Sequence, residues 1–112
     1  MAEGHTITIE QGGQHVRVVH GDQVLAETDR PLLLRETGCP VRYYIPAEDV
    51  RLDLLTSSET HTYCPFKGTA SYWSLPEAPD LVWGYPEPKD DVARIKDHLC
   101  FFEAEVSPAE VA

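Results

Sequence analysis

Short runs of alternating polar and apolar residues, cut by paired glycine and proline turns, constrain this chain more than any other feature. His5-Thr6-Ile7-Thr8-Ile9-Glu10 has the two-residue period of a half-buried strand. Gln11-Gly12-Gly13-Gln14 is a turn signal, and His15 to His20 resumes as a strand. Gly21-Asp22 reverses the chain again before a third run from Gln23 to Thr28. Three short runs joined by glycine turns predict an antiparallel meander.

The same grammar continues. Asp29-Arg30-Pro31 breaks the first group, and Leu32 to Glu36 is apolar enough for a buried strand. Thr37-Gly38-Cys39-Pro40 reads as a turn, followed by a strand over Val41 to Ile45. Alternation puts Val41, Tyr43 and Ile45 on one face, with Arg42 and Tyr44 on the other. Pro46 to Val50 predicts one helical turn, with proline first and carboxylates near the positive end. Arg51 to Leu55 fits either more helix or a strand. Thr56 to Glu59 reads as loop. Thr60 to Cys64 and Thr69 to Ser74 form a predicted hairpin around Pro65-Phe66-Lys67-Gly68. Within its second strand Thr69, Ser71 and Trp73 face one way, and Ala70, Tyr72 and Ser74 the other. Pro76 to Asp80 reads as loop, Leu81 to Tyr85 as strand and Asp90 to Lys96 as a short helical turn. His98 to Glu105 is the last predicted strand. A flexible acidic tail is expected over about 106–112.

At 112 residues the chain is expected to form one domain, 1–112, large enough to bury a core without metal or disulfide staples. Nineteen acids against nine bases give a net charge of −10. Between Arg30 and Leu75 five bases meet five acids, so the excess lies towards the ends. A negative field disfavours phosphate backbones and anionic membranes, and no apolar run approaches the ~18 residues of a membrane helix. Neither a nucleic-acid nor a membrane partner is expected. Cys39, Cys64 and Cys100 make an odd count with no Cys-x-x-Cys pair. The opening residues show no charged-then-apolar leader, so reduced thiols and a cytoplasmic location are the expectation. The five histidines show no His-x-His or His-x-x-x-His spacing. No metal or other cofactor is expected.

The residues already quoted resemble the family catalogued as domain of unknown function 427, also labelled nucleotidyltransferase-like. The resemblance runs from about Leu32 to Phe102. It is carried by Glu36-Thr37-Gly38, Arg42-Tyr43-Tyr44-Ile45-Pro46, Asp49-Val50, Cys64-Pro65 with Lys67-Gly68, and Ala70-Ser71-Tyr72-Trp73. Trp83, Tyr85-Pro86-Glu87-Pro88 and Ile95-Lys96 continue it. It implies an all-β domain of two antiparallel sheets packed at a steep angle, β-tent-like, with one or two short helical turns. Nucleotidyltransferases usually place a Gly-Ser before an Asp-x-Asp or Asp-x-Glu pair that holds two metal ions. The nearest acidic cluster here, Glu48-Asp49 with Asp53, has no Gly-Ser before it.

Chemistry concentrates in a few side chains. Cys64 is a candidate nucleophile, with Lys67 one turn away to lower its pKa. His61 lies an odd number of residues from Cys64 and so on the opposite strand face. Lys67-Gly68 offers a cation and a close backbone approach for an anionic group. Tyr43, Tyr44, Tyr72, Trp73, Trp83 and Tyr85 form a dense aromatic set, of which one member of each adjacent pair points away from the main core. Glu36 and Arg42 are an expected ion pair lining the same region. The expected pocket is lined by Glu36, Arg42, Tyr43 or Tyr44, Cys64, Lys67, Tyr72, Trp73 and Trp83. Three readings stay open: a small-molecule binding domain, a thiol-dependent enzyme using Cys64 and Lys67, and a structural module that homodimerises through its aromatic patch.

Overall fold

The computed structural model describes residues 4–107. The described residues build ten strands: β1 (Ile7–Gln11), β2 (His15–His20), β3 (Gln23–Thr28), β4 (Leu32–Glu36), β5 (Arg42–Pro46), β6 (Thr56–Cys64), β7 (Gly68–Leu75), β8 (Ala78–Gly84), β9 (His98–Phe101) and β10 (Glu105–Ser107). Three 3-10 segments, Ala47–Asp49, Leu52–Leu54 and Asp90–Ile95, supply the helical part. The strands make two antiparallel sheets. The larger has seven strands in the order β1-β4-β5-β9-β8-β7-β6, and the smaller has three in the order β10-β2-β3. This is the all-β, two-sheet architecture that the resemblance implies. Among the described residues no helix is long and apolar enough to cross a membrane.

The larger sheet is buried on both faces at its centre, and adjacent residues go to different cores. Ile45, Val82, Leu99 and Phe101 face the small sheet and pack with Val16, Val18, Leu25 and Ala26. Their strand neighbours Tyr44, Trp83 and Cys100 face the other way and pack with Leu32, Leu34, Val92 and Ile95. Fully burying one such side chain stabilises the fold by about 1.5–3 kcal/mol. Two-faced burial also explains the unbroken Leu32-Leu33-Leu34 run, in which all three leucines are buried. The 3-10 segment Asp90–Ile95 lays Val92 and Ile95 onto the second face. Arg94 Nη1 fastens it to β1 by donating to the Ile9 carbonyl at 2.9 Å.

Several local expectations are corrected. The first three strands are not a meander: β2 pairs with β3, but β1 pairs with β4. Thr56 to Glu59 belongs to β6, an exposed edge strand whose polar residues face solvent. The expected loop Pro76 to Asp80 shrinks to a tight turn at Pro76 and Glu77, because Ala78 to Asp80 belong to β8 and Ala78 pairs with Leu75. The irregular stretch that follows is pinned by Asp80, which has φ +53°. Its backbone N–H donates to Ser74 Oγ, and its carboxylate accepts from Thr60 Oγ1, both at 2.8 Å. Arg51 to Leu55 turns out to hold the 3-10 turn Leu52–Leu54. The predicted last strand is split into β9 and β10. Val106 and Ser107, where the acidic tail was expected to begin, pair with Val16 and His15, and residues 108–112 lie outside the described residues.

Candidate functional site

On the second face of the larger sheet, register aligns four side chains across four strands. Tyr72 on β7 opposes Trp83 on β8, Trp83 opposes Cys100 on β9, and Cys100 opposes Tyr44 on β5. Tyr44 and Trp83 belong both to the packed cluster and to the wall of a hollow of about 270 Å3. Tyr85 extends that wall, and the strand period brings Glu36 and Leu34 from β4 and Arg42 from β5 to the same side. The hairpin between β6 and β7 supplies Lys67, and Cys39, Pro40 and Phe102 complete the rim.

The hairpin tip is rigidly placed. Lys67 N donates to the Cys64 carbonyl at 3.2 Å, and the Lys67 carbonyl accepts from Lys89 N at 3.0 Å. Gly68 closes the turn at φ +113°, a conformation that side chains rarely adopt. From this tip the Lys67 ammonium donates to Glu36 Oε1 at 2.6 Å, with 11% and 12% of the two side chains exposed. The other Glu36 oxygen lies 3.2 Å from His5 Nε2, outside hydrogen-bonding geometry. His5 in turn stacks on Phe66, with centroids 4.0 Å apart. Glu36 is thus paired with Lys67, and not with Arg42 as expected. Arg42 instead lies over Trp83, its guanidinium carbon 5.3 Å from the ring centroid.

Burial keeps two tyrosines of the wall in the neutral form. Burial pushes the Tyr44 phenol well above its usual range. The Trp83 indole beside it offsets this only in part. Burial raises Tyr85 too, with the neighbouring Cys64 and Tyr72 adding to it. Tyr72 has its hydroxyl 2.8 Å from Thr62 Oγ1. Beneath the wall, burial pushes the Cys100 thiol up to about 12.

Of the residues singled out from sequence, Glu36, Arg42, Tyr44, Lys67, Tyr72 and Trp83 come together around this hollow. Tyr43 and Trp73 do not: both pack against the core between the sheets. Cys64 is half-buried against the second-face cluster and does not line the hollow. His61 sits opposite Ser71, on the face away from Cys64. Glu48 and Asp49 are engaged by Arg30, Asp49 also by Thr28 Oγ1 at 2.7 Å, and Asp53 by Arg51. Sequence reasoning left Leu34, Cys39, Pro40, Tyr85 and Phe102 out of the lining. The strand period could have found Tyr85, two residues after Trp83, and Leu34, two before Glu36. Phe102, two after Cys100 in the predicted last strand, carries the same signal, whereas Cys39 and Pro40 lie in the connection between β4 and β5 and carry none.

A larger hollow of about 670 Å3 adjoins His5, Phe66, Lys89 and Asp90–Val92. The smaller one is the stronger candidate. It combines an aromatic wall, a nearly buried ion pair and a second cation, the few convergent polar groups in an apolar setting that mark ligand sites.

These features define a class: a two-sheet antiparallel β domain with a polar-aromatic hollow on the outer face of its larger sheet. Residues 8–112 match the family described as a domain of unknown function (DUF427), and the chain belongs to that family. No match was found among proteins with curated descriptions.

Proposed function

We propose that this chain is a small-molecule binding domain and that its site is the hollow bounded by Glu36, Arg42, Tyr44, Lys67, Tyr72 and Trp83. One observation carries the reading: the Lys67–Glu36 pair, 2.6 Å apart and nearly buried, opens onto an aromatic wall. Removing two charges from water costs several kcal/mol per ion, so such a pair is a poor device for stability alone. Beside a hollow with ring walls it is suited to orient a guest.

Thiol chemistry draws less support. The ammonium meant to activate Cys64 is directed to Glu36, and His61 faces away from the sulfur. The aromatic patch is also a poor dimer surface, since Tyr44 is 1% and Trp83 8% exposed. The test is a thermal-shift screen of a chemically diverse metabolite set. Ligands of this site raise the melting temperature of the native chain, and Tyr72→Ala removes the shift while the variant still folds cooperatively. Hits that stabilise Tyr72→Ala and the native chain equally put the binding site elsewhere.

A further inference from the structure

We infer that the hollow is shaped for a small flat monoanion, with a ring-bearing carboxylate as the matching chemistry. This rests on reading the hollow as a ligand site, and it is carried by charge, donor geometry and size.

Three ionised side chains line the hollow: Glu36, Arg42 and Lys67. One carboxylate against two cations leaves one positive charge, in a chain whose net charge is −10. That excess is not shared evenly. Lys67 is closed on Glu36 at 2.6 Å, whereas Arg42 makes no ion pair among the described residues. Its guanidinium lies over the Trp83 ring, which holds the fork in place without consuming its donors. A forked, unpaired guanidinium is the geometric complement of a carboxylate.

Size and wall chemistry limit the rest of the guest. At about 30 Å3 per water, 270 Å3 holds roughly nine waters, the scale of one small ring with its acid group. Tyr72 and the exposed Phe102 offer rings against which a flat body stacks. Phosphate matches less well: its second negative charge falls beside Glu36 with no free cation to meet it.

Calorimetric titration of the full chain with benzoate, benzamide and inorganic phosphate tests this. The expected result is benzoate binding about tenfold or more tighter than benzamide, the scale of one charged hydrogen bond, with phosphate weaker than benzoate. Arg42→Gln removes the advantage of benzoate over benzamide, with circular dichroism confirming that the variant folds. Benzamide matching benzoate, phosphate outcompeting it, or an unchanged preference in Arg42→Gln each overturns the monoanion inference while leaving the ligand site in place. If no ring compound, charged or neutral, binds the folded chain, both readings fall.

Discussion

Lys67 and Glu36 are separated by 31 residues and joined at 2.6 Å, so one ion pair fastens the β6–β7 hairpin tip to the end of β4. With 11% and 12% of the side chains exposed, the pair is far less screened than a surface bridge. Glu36→Gln keeps the shape but strands a nearly buried ammonium. We expect a loss of about 3 kcal/mol in chemical denaturation. Glu36→Gln combined with Lys67→Met removes both charges and recovers most of that loss. A double variant no more stable than Glu36→Gln alone contradicts this account of the pair.

His15 gives a pH signature remote from the hollow. Its ring nitrogens lie 2.5 Å from Asp29 Oδ1 and 2.6 Å from Glu27 Oε2. The hydrogen bond to Asp29, then that to Glu27, raises its pKa above 6.5. A raised folded-state pKa contributes stability that is complete below the unfolded value and is lost as pH rises through the folded one. The native chain therefore loses this contribution between pH 6.5 and the raised value above it, and His15→Gln does not. NMR titration of the ring is the direct check: a midpoint at or below 6.5 contradicts the expectation.

Gly68 tests how strictly the hairpin tip is placed. It sits at φ +113°, and a Cβ there meets the Glu87 carbonyl oxygen at 3.2 Å. Gly68→Ala is expected to cost about 1–3 kcal/mol through backbone strain. Urea unfolding reads this as a lower midpoint with an unchanged slope.

The three thiols rank by accessibility. Cys39 is exposed, Cys64 half-buried and Cys100 buried, with the Cys100 thiol pushed up to about 12. Iodoacetamide on the native chain, followed by mass spectrometry, should label Cys39 first, Cys64 more slowly and Cys100 only on unfolding. Cys64 reacting faster than Cys39 points instead to an activated thiol.

Much of the site was legible wherever local rules suffice. Strand alternation alone separates Tyr43 from Tyr44 and Tyr72 from Trp73, and the structure sends each pair to opposite faces. The Pro65–Gly68 turn announces the hairpin that carries Lys67. Illegible were the relationships that only the sheet order creates. The β1 strand looks like the first member of a meander, but its partner is β4, beyond an intervening hairpin. Thr56 to Glu59 gives no apolar period because β6 is an exposed edge. Lys67 and Glu36 carry no mutual signal, whereas Arg42 lies nearer to Glu36 in sequence and lost it to the hairpin tip.

If the outer hollow accepts a small molecule, the two tryptophans of the chain provide both probe and control. Trp83 lines the hollow, while Trp73 packs against the core between the sheets and borders a separate hollow of about 220 Å3. Indole N–H resonances should be followed by NMR while a diverse set of small ring compounds, benzoate among them, is titrated into the native chain. The expected result is saturable movement of the Trp83 resonance with Trp73 unmoved. A Trp83 resonance that stays fixed across the whole set, or movement at Trp73 alone, contradicts it.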